Sequence, residues 1–277
     1  MKQTLYPLIL SLSMLAAACD DTPPVTVQKG VIEGTVSSGD YPVVLFSSSI
    51  VPDKEGSLKD AVVNWGKVTI SDGEREVVMT GSPDSRYIPP FRYHTLEMRG
   101  EPGKTYTVTA TFKDLKVRAV CRMPHPTSID SVTVASTEID TLKAATLHFT
   151  SPEDTPAYYY VTLRRPGSDS RSAPGMMGTI KADIPGKSYS IPILRPRFRI
   201  DSVKYQSQLV VGEEWIVALN RVEKPVYEFW KAYDNMVLFS SSPFLNTSES
   251  LPTNIEGGYG VWSPQGTSTM MFRVEEK

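Results

Sequence analysis

The chain has 277 residues, 40% of them apolar and 22% charged, which is enough material for one or two cores and excludes wholesale disorder or a fibrous repeat. Its 29 Lys and Arg nearly balance 31 Asp and Glu, and no basic stripe interleaves with aromatics, so nothing favours nucleic-acid binding. Twenty-two prolines and eighteen glycines count against a helical bundle, because proline removes a backbone donor and glycine adds chain entropy.

Lys2 supplies a cationic start, Leu5 to Leu15 an apolar run, and Ala16, Ala17 and Ala18 a small-residue triplet before Cys19. Residues 1–18 therefore read as a secretory signal. The run falls short of the roughly 20 apolar residues a spanning helix needs and ends at Asp20 and Asp21. Cysteine directly after such a triplet resembles the bacterial lipobox, with Leu15 one place further from the cysteine than in the commonest form. That resemblance implies cleavage before Cys19 and acylation of its thiol and new amino group. Simple cleavage near Ala18, giving a secreted soluble chain, is the alternative. A weakly acidic chain gains nothing from anionic lipid, so acyl chains, at about 0.8 kcal/mol per buried methylene, would do the anchoring. Acylated Cys19 leaves Cys121 as the sole thiol and no intrachain disulfide. Residues 19–27, containing Thr22-Pro23-Pro24, read as an extended tether of about 25 Å at about 3.1 Å per residue. Acidic residues after the cysteine resemble the surface-export signal of Bacteroidota lipoproteins, which implies an outer-membrane protein facing the cell surface.

From Gln28 to Arg122 short β-rich runs alternate with turn residues: Val31–Val36, Val43–Ser47, Val68–Ser71, Glu76–Thr80, Tyr93–Met98, Thr105–Phe112 and Lys116–Cys121. This spacing predicts a sandwich over 28–123. Thr105, Thr107, Thr109 and Thr111 alternate with Tyr106, Val108, Ala110 and Phe112, which gives that strand one wet face. Met123-Pro124-His125-Pro126 fixes two φ angles and forms a stiff joint, and the domain boundary is placed there.

Beyond it, Ser131–Val134, Ala144–Thr150, Tyr158–Arg164, Ser188–Leu194 and Gln208–Leu219 predict a second β-rich domain over 124–277, with Arg165–Gly178 a loop. Val226, Phe229, Trp230, Tyr233 and Val237 recur at steps of three and four after Pro225, predicting one amphipathic helix over about 225–239. Ser240–Gly260 reads as loop and Thr269–Glu275 as a closing strand. The fold class is thus mainly β: two β-sandwich domains, immunoglobulin-like or transthyretin-like, with one helix in the second.

Chemistry is harder to find. His94, His125 and His148 belong to no paired metal-ligand motif, and there is no Gly-x-Ser-x-Gly elbow. A triad assembled from distant residues is neither supported nor excluded. Adjacent Glu213 and Glu214 point to opposite faces of a strand and read as solvated edge charges. Gly257-Gly258-Tyr259-Gly260 lacks the flanking strand and helix of a phosphate loop and reads as a turn. Cys121 reads as a small buried hydrophobe. No catalytic residue, metal ligand or cofactor is assigned. Aromatic rings are the visible binding groups. Alternation sends Tyr159, and helical spacing Trp230, into the core, whereas Tyr259 and Trp262, beside the glycine-rich stretch, are the ligand-binding candidates, Trp262 as the best exposed ring. Ser131, Thr141 and Ser202 each follow an aspartate and precede an apolar residue, matching the short motif at which Bacteroidota O-glycosylate exported proteins; each also reads as a turn residue opening a strand.

Cys19, the turns Ser71-Asp72-Gly73 and Gly100-Glu101-Pro102-Gly103, Ile129-Asp130-Ser131-Val132, Tyr227-Glu228-Phe229-Trp230 and above all Asn254-Ile255-Glu256-Gly257-Gly258-Tyr259-Gly260-Val261-Trp262 together resemble a known set. The chain is similar to a Bacteroidota outer-membrane lipoprotein family catalogued as a domain of unknown function, with Trp262 where members usually carry Phe. The resemblance implies a neighbouring TonB-dependent, SusC-like transporter as partner, and a first domain like the transthyretin-like or carboxypeptidase-regulatory sandwich, normally non-catalytic. The expected function is an accessory protein of that transporter, capturing or gating a peptide, glycan or chelate without catalysis. The alternative is a structural or adhesin lipoprotein that scaffolds through its sheet edges.

Overall fold

A computed structural model describes residues 28–49, 61–196, 206–239 and 251–276. The signal, Cys19, the tether and Ser202 lie outside the described residues.

Period-two patterning is realised most directly in the first half. The Thr105–Phe112 run forms β7, with Tyr106, Val108 and Ala110 fully buried between outward threonines. Before it come β1 (Gly30–Ser37), β2 (Val43–Ser48), β3 (Lys67–Ser71), β4 (Glu76–Val78), β5 (Thr80–Pro83) and β6 (Phe91–His94), and after it β8 (Leu115–Arg122). The single run predicted over Glu76–Thr80 is two strands, because the chain changes sheet at buried Met79: β4 pairs with β3 and β5 with β6.

The second half supplies β9 (Ser131–Ser136), β10 (Leu142–Thr150), β11 (Ala157–Arg164), β12 (Ala173–Ala182), β13 (Ser188–Ile193), β14 (Leu209–Val210), β15 (Glu214–Val222), α1 (Lys224–Phe239) and β16 (Gly258–Arg273). Two expectations are corrected here. The end of the predicted Arg165–Gly178 loop is strand: β12 is the edge of its sheet, where Pro174 forfeits no ladder bond that the sheet needs. The predicted Gln208–Leu219 strand is broken by a turn at Gly212, whose φ of 89° ends β14 before β15 begins.

Three sheets result. The largest has the order β12-β11-β15-β16-β1-β2-β6-β5; the others are β4-β3-β7-β8, and β13-β10-β14 with β9 also on β10. Among the described residues, strand pairs with strand antiparallel in every case except β1 with β16. The four-stranded sheets cover the two ends of the long one, giving two β-sandwiches with separate cores. Ile32, Phe46, Tyr106 and Trp262 belong to the first core, and Phe149, Tyr159, Trp215 and Leu219 to the second.

The boundary at Pro124 does not hold for the end of the chain. Gly258–Gln265 of β16 pairs with β1 in the first sandwich, and Gly266–Arg273 pairs with β15 in the second. Ile255, Val261 and Trp262 join the first core, so 251–265 packs with the domain predicted to end at 123. The handover falls at Gly266, where a Cβ would lie 2.3 Å from the Pro124 carbonyl oxygen: β16 crosses against the proline joint.

Candidate functional site

Alternation gives the long sheet a second face, opposite both cores. While Ile32 and Val36 of β1 point inward, Glu33, Thr35 and Ser37 point outward. Val161 and Leu163 of β11 likewise alternate with Thr162 and Arg164, and Val217 and Leu219 of β15 with Ala218 and Asn220. Ser263, Gln265 and Thr267 of β16 complete this face, and α1 closes one end of it by packing Tyr227 on Tyr158 and stacking Trp230 on Tyr160, with ring centroids 5.2 and 5.1 Å apart. What remains between α1, the 171–174 approach to β12 and Tyr87 is a groove of about 430 Å3. That lies within the roughly 300–1,000 Å3 of small-ligand sites. A second cavity of about 190 Å3, lined by Phe229, Trp230, Tyr233 and Asp234, shares Glu33, Arg171, Pro174 and Trp230 with it.

The floor is a connected polar network. Tyr160 donates its hydroxyl to Gln265 Oε1, which also accepts from Ser263 at 3.3 Å. Gln265 Nε2 donates to Ser37 Oγ at 2.9 Å. Asn220 Nδ2 donates to Thr162 Oγ1 at 3.2 Å, and its Oδ1 accepts from Thr267 Oγ1 at 2.9 Å. Asn220, Ser263 and Gln265 are buried. Buried amides are costly unless bonded, so this network fixes their orientation. Burial pushes the Tyr160 phenol well above its ordinary value, which keeps it a neutral donor.

Two carboxyls line these cavities, Glu33 both of them and Asp234 the smaller. Incomplete hydration among the walls raises the Glu33 carboxyl, against the opposing pull of Arg171, 3.9 Å away. The Glu33 side chain is about half exposed and lines both cavities. Asp234 is pushed up to about 6 by burial, although the backbone N–H groups of Met177 and Gly178 donate to it.

The candidates named from sequence lie elsewhere. Trp262 is corrected: it is fully buried, and its indole N–H donates to the Tyr106 carbonyl oxygen at 3.0 Å. The glycines before it do not make a projecting turn but let β16 press against β1; a Cβ on Gly260 would lie 1.9 Å from Ile32 O. Tyr259 is 45% exposed, with Lys29 Nζ 4.9 Å from its ring centroid, and lines none of these cavities. Ser131 and Thr141 are exposed. Cys121 is buried with its Sγ 3.2 Å from Glu223 Oε2, and burial raises its thiol. Glu213 is no solvated charge: it accepts from Arg195 and from the Trp215 indole N–H. Among the described residues no group of three or more His, Cys, Asp or Glu could hold a metal ion. His148 meets Ser190 and Thr133 hydroxyls at 2.8 Å on its two ring nitrogens, a cross-strand ladder away from the cavities. The groove residues escaped sequence reading because Ser, Thr, Asn and Gln carry no motif. The signal that could have found them is amides in strands, Asn220 closing an apolar run and Gln265 amid hydroxyls.

A third cavity, of about 410 Å3, lies at the joint between the sandwiches. There Arg221 donates to Asp154 Oδ2 at 2.7 Å and to its carbonyl oxygen at 3.1 Å, and to His125 O at 3.5 Å.

No protein-family model matches the chain, and no curated protein matches it. Among solved structures, a cytokine receptor complex is 9% identical with a TM-score of 0.24, over 69% of this chain and 82% of that one. The FN1–FN3 domains of chicken CNTN1 are 12% identical with a TM-score of 0.22, over 87% of this chain and 63% of theirs. Similarity at that level assigns neither a fold family nor a function.

Proposed function

We propose that the protein is a lipid-anchored accessory of an outer-membrane TonB-dependent transporter and captures a ligand in the groove on the long sheet without chemistry. The observation that carries the reading is the groove itself: about 430 Å3, floored by buried, mutually bonded amides and hydroxyls contributed by both sandwiches. Hydrogen bonding within this floor offsets the cost of burying its amides and holds its hydroxyls in fixed positions facing the groove. The leader and Cys19 support the location, and the Bacteroidota family resemblance supports the partner. We read the sandwiches as immunoglobulin-like or transthyretin-like modules, a kind that works by contact. Pull-down of tagged protein from gently solubilised outer membranes tests the partner: a TonB-dependent receptor should co-purify, and recovery of the lipoprotein alone overturns that part.

The second reading, an envelope scaffold, draws on the sheet edges: among the described residues β5 and β12 end the long sheet, each with one hydrogen-bonded neighbour in it. Stable homo-oligomers or filaments in size-exclusion chromatography would favour it over capture by a monomer.

A further inference from the structure

We infer that the groove takes an uncharged, polyhydroxylated ligand, a short saccharide held by the hydroxyls of Ser37 and Thr162. This rests on the capture reading and adds the class of molecule captured.

The network beneath the floor dictates what each hydroxyl has left to offer. Ser37 and Thr162 receive amide N–H bonds, from Gln265 at 2.9 Å and Asn220 at 3.2 Å, and so keep a hydroxyl proton to give. Thr35 and Thr267 donate inward, to the Ser263 carbonyl oxygen at 3.0 Å and to Asn220 Oδ1 at 2.9 Å, and so keep lone pairs. Givers and takers thus lie side by side. A ligand hydroxyl is both at once and satisfies such a floor, whereas a phosphate or carboxylate only accepts and an ammonium only donates.

The groove's charged lining residues cancel, Glu33 and Asp40 against Arg164 and Arg171, so no net charge selects an ion. Tyr87 and Trp230 add aromatic surface to the groove, with Arg171 over the Tyr87 ring at 5.1 Å and Tyr160 stacked on one face of Trp230, whose indole N–H is buried without a partner. A peptide backbone also alternates donors and acceptors, but it seeks an unpaired strand edge. Here β11, β15, β16, β1 and β2 are all interior to the sheet.

The experiment uses the full chain in a detergent without a sugar headgroup. It is screened on an array of neutral glycans and against tri-alanine and tri-glycine, with calorimetric titration of any hit. A neutral oligosaccharide should bind. Thr162→Val and Ser37→Ala should each raise its Kd at least fivefold with near-UV circular dichroism unchanged, and Thr162→Ser should restore binding. Saccharide affinity indifferent to both variants overturns the site assignment. Tripeptide binding that the variants weaken, with no glycan bound, overturns the ligand class and leaves capture standing. Absence of binding in both panels overturns the saccharide assignment, and a TonB-dependent receptor that still co-purifies leaves the capture reading standing.

Discussion

Trp262 and Tyr259, three residues apart, behave oppositely because β16 pairs with β1 along their whole stretch and turns one ring inward and the other out. Trp262→Ala empties a fully buried site and removes the bond from its indole N–H to the Tyr106 carbonyl oxygen, so urea denaturation should show a loss of about 3–5 kcal/mol. Tyr259→Ala should stay within about 0.5 kcal/mol. Asp234 gives the molecule a pH signature. Its folded value, about 6, is above the roughly 3.9 of an unfolded aspartate, so the fold holds the proton longer. Stability from this group is therefore full below about pH 4 and lost as pH rises through 6. Asp234→Asn keeps an acceptor for Met177 and Gly178 but cannot ionise. Thermal melts should find the variant equal to wild type near pH 4 and more stable at pH 7, by about 2 kcal/mol once water in the adjoining cavity is allowed for.

At the scale of the element, β16 carries the architecture. One strand pairs with β1 along its first half and with β15 along its second, so neither sandwich is complete without it. Gly266→Val places a branched side chain where a Cβ already sits 2.3 Å from Pro124 O and 2.7 Å from Pro126 N, and should cost about 3 kcal/mol. Because both halves share the strand, hydrogen exchange should accelerate together in β7 and β10 rather than in one sandwich alone. The helix illustrates the limit of periodicity: the apolar stripe at Val226, Trp230 and Val237 was readable, while Asp234, buried on α1, was not, because its partners are backbone groups of β12.

For the whole molecule, the proposed anchor and the groove make separable demands. Among the described residues no helix is long and apolar enough to cross a membrane. If acyl chains at Cys19 supply the attachment, Cys19→Ala should move the protein from the membrane pellet to the soluble fraction and leave ligand affinity unchanged.

The strands and the helix follow from local causes visible in sequence: side chains alternate across a strand, recur every three to four residues on a helix, and turn where glycine or proline permits. Period two shows which residues share a face but is silent on which strand lies beside it. The return of β16 to β1, 228 positions away where Thr35 bonds Ser263, was decided only when buried apolar surface from both ends of the chain found a common core. The groove came with that choice, since Gln265 and Asn220 become a floor only once β16 lies between β1 and β15 and α1 covers what is left.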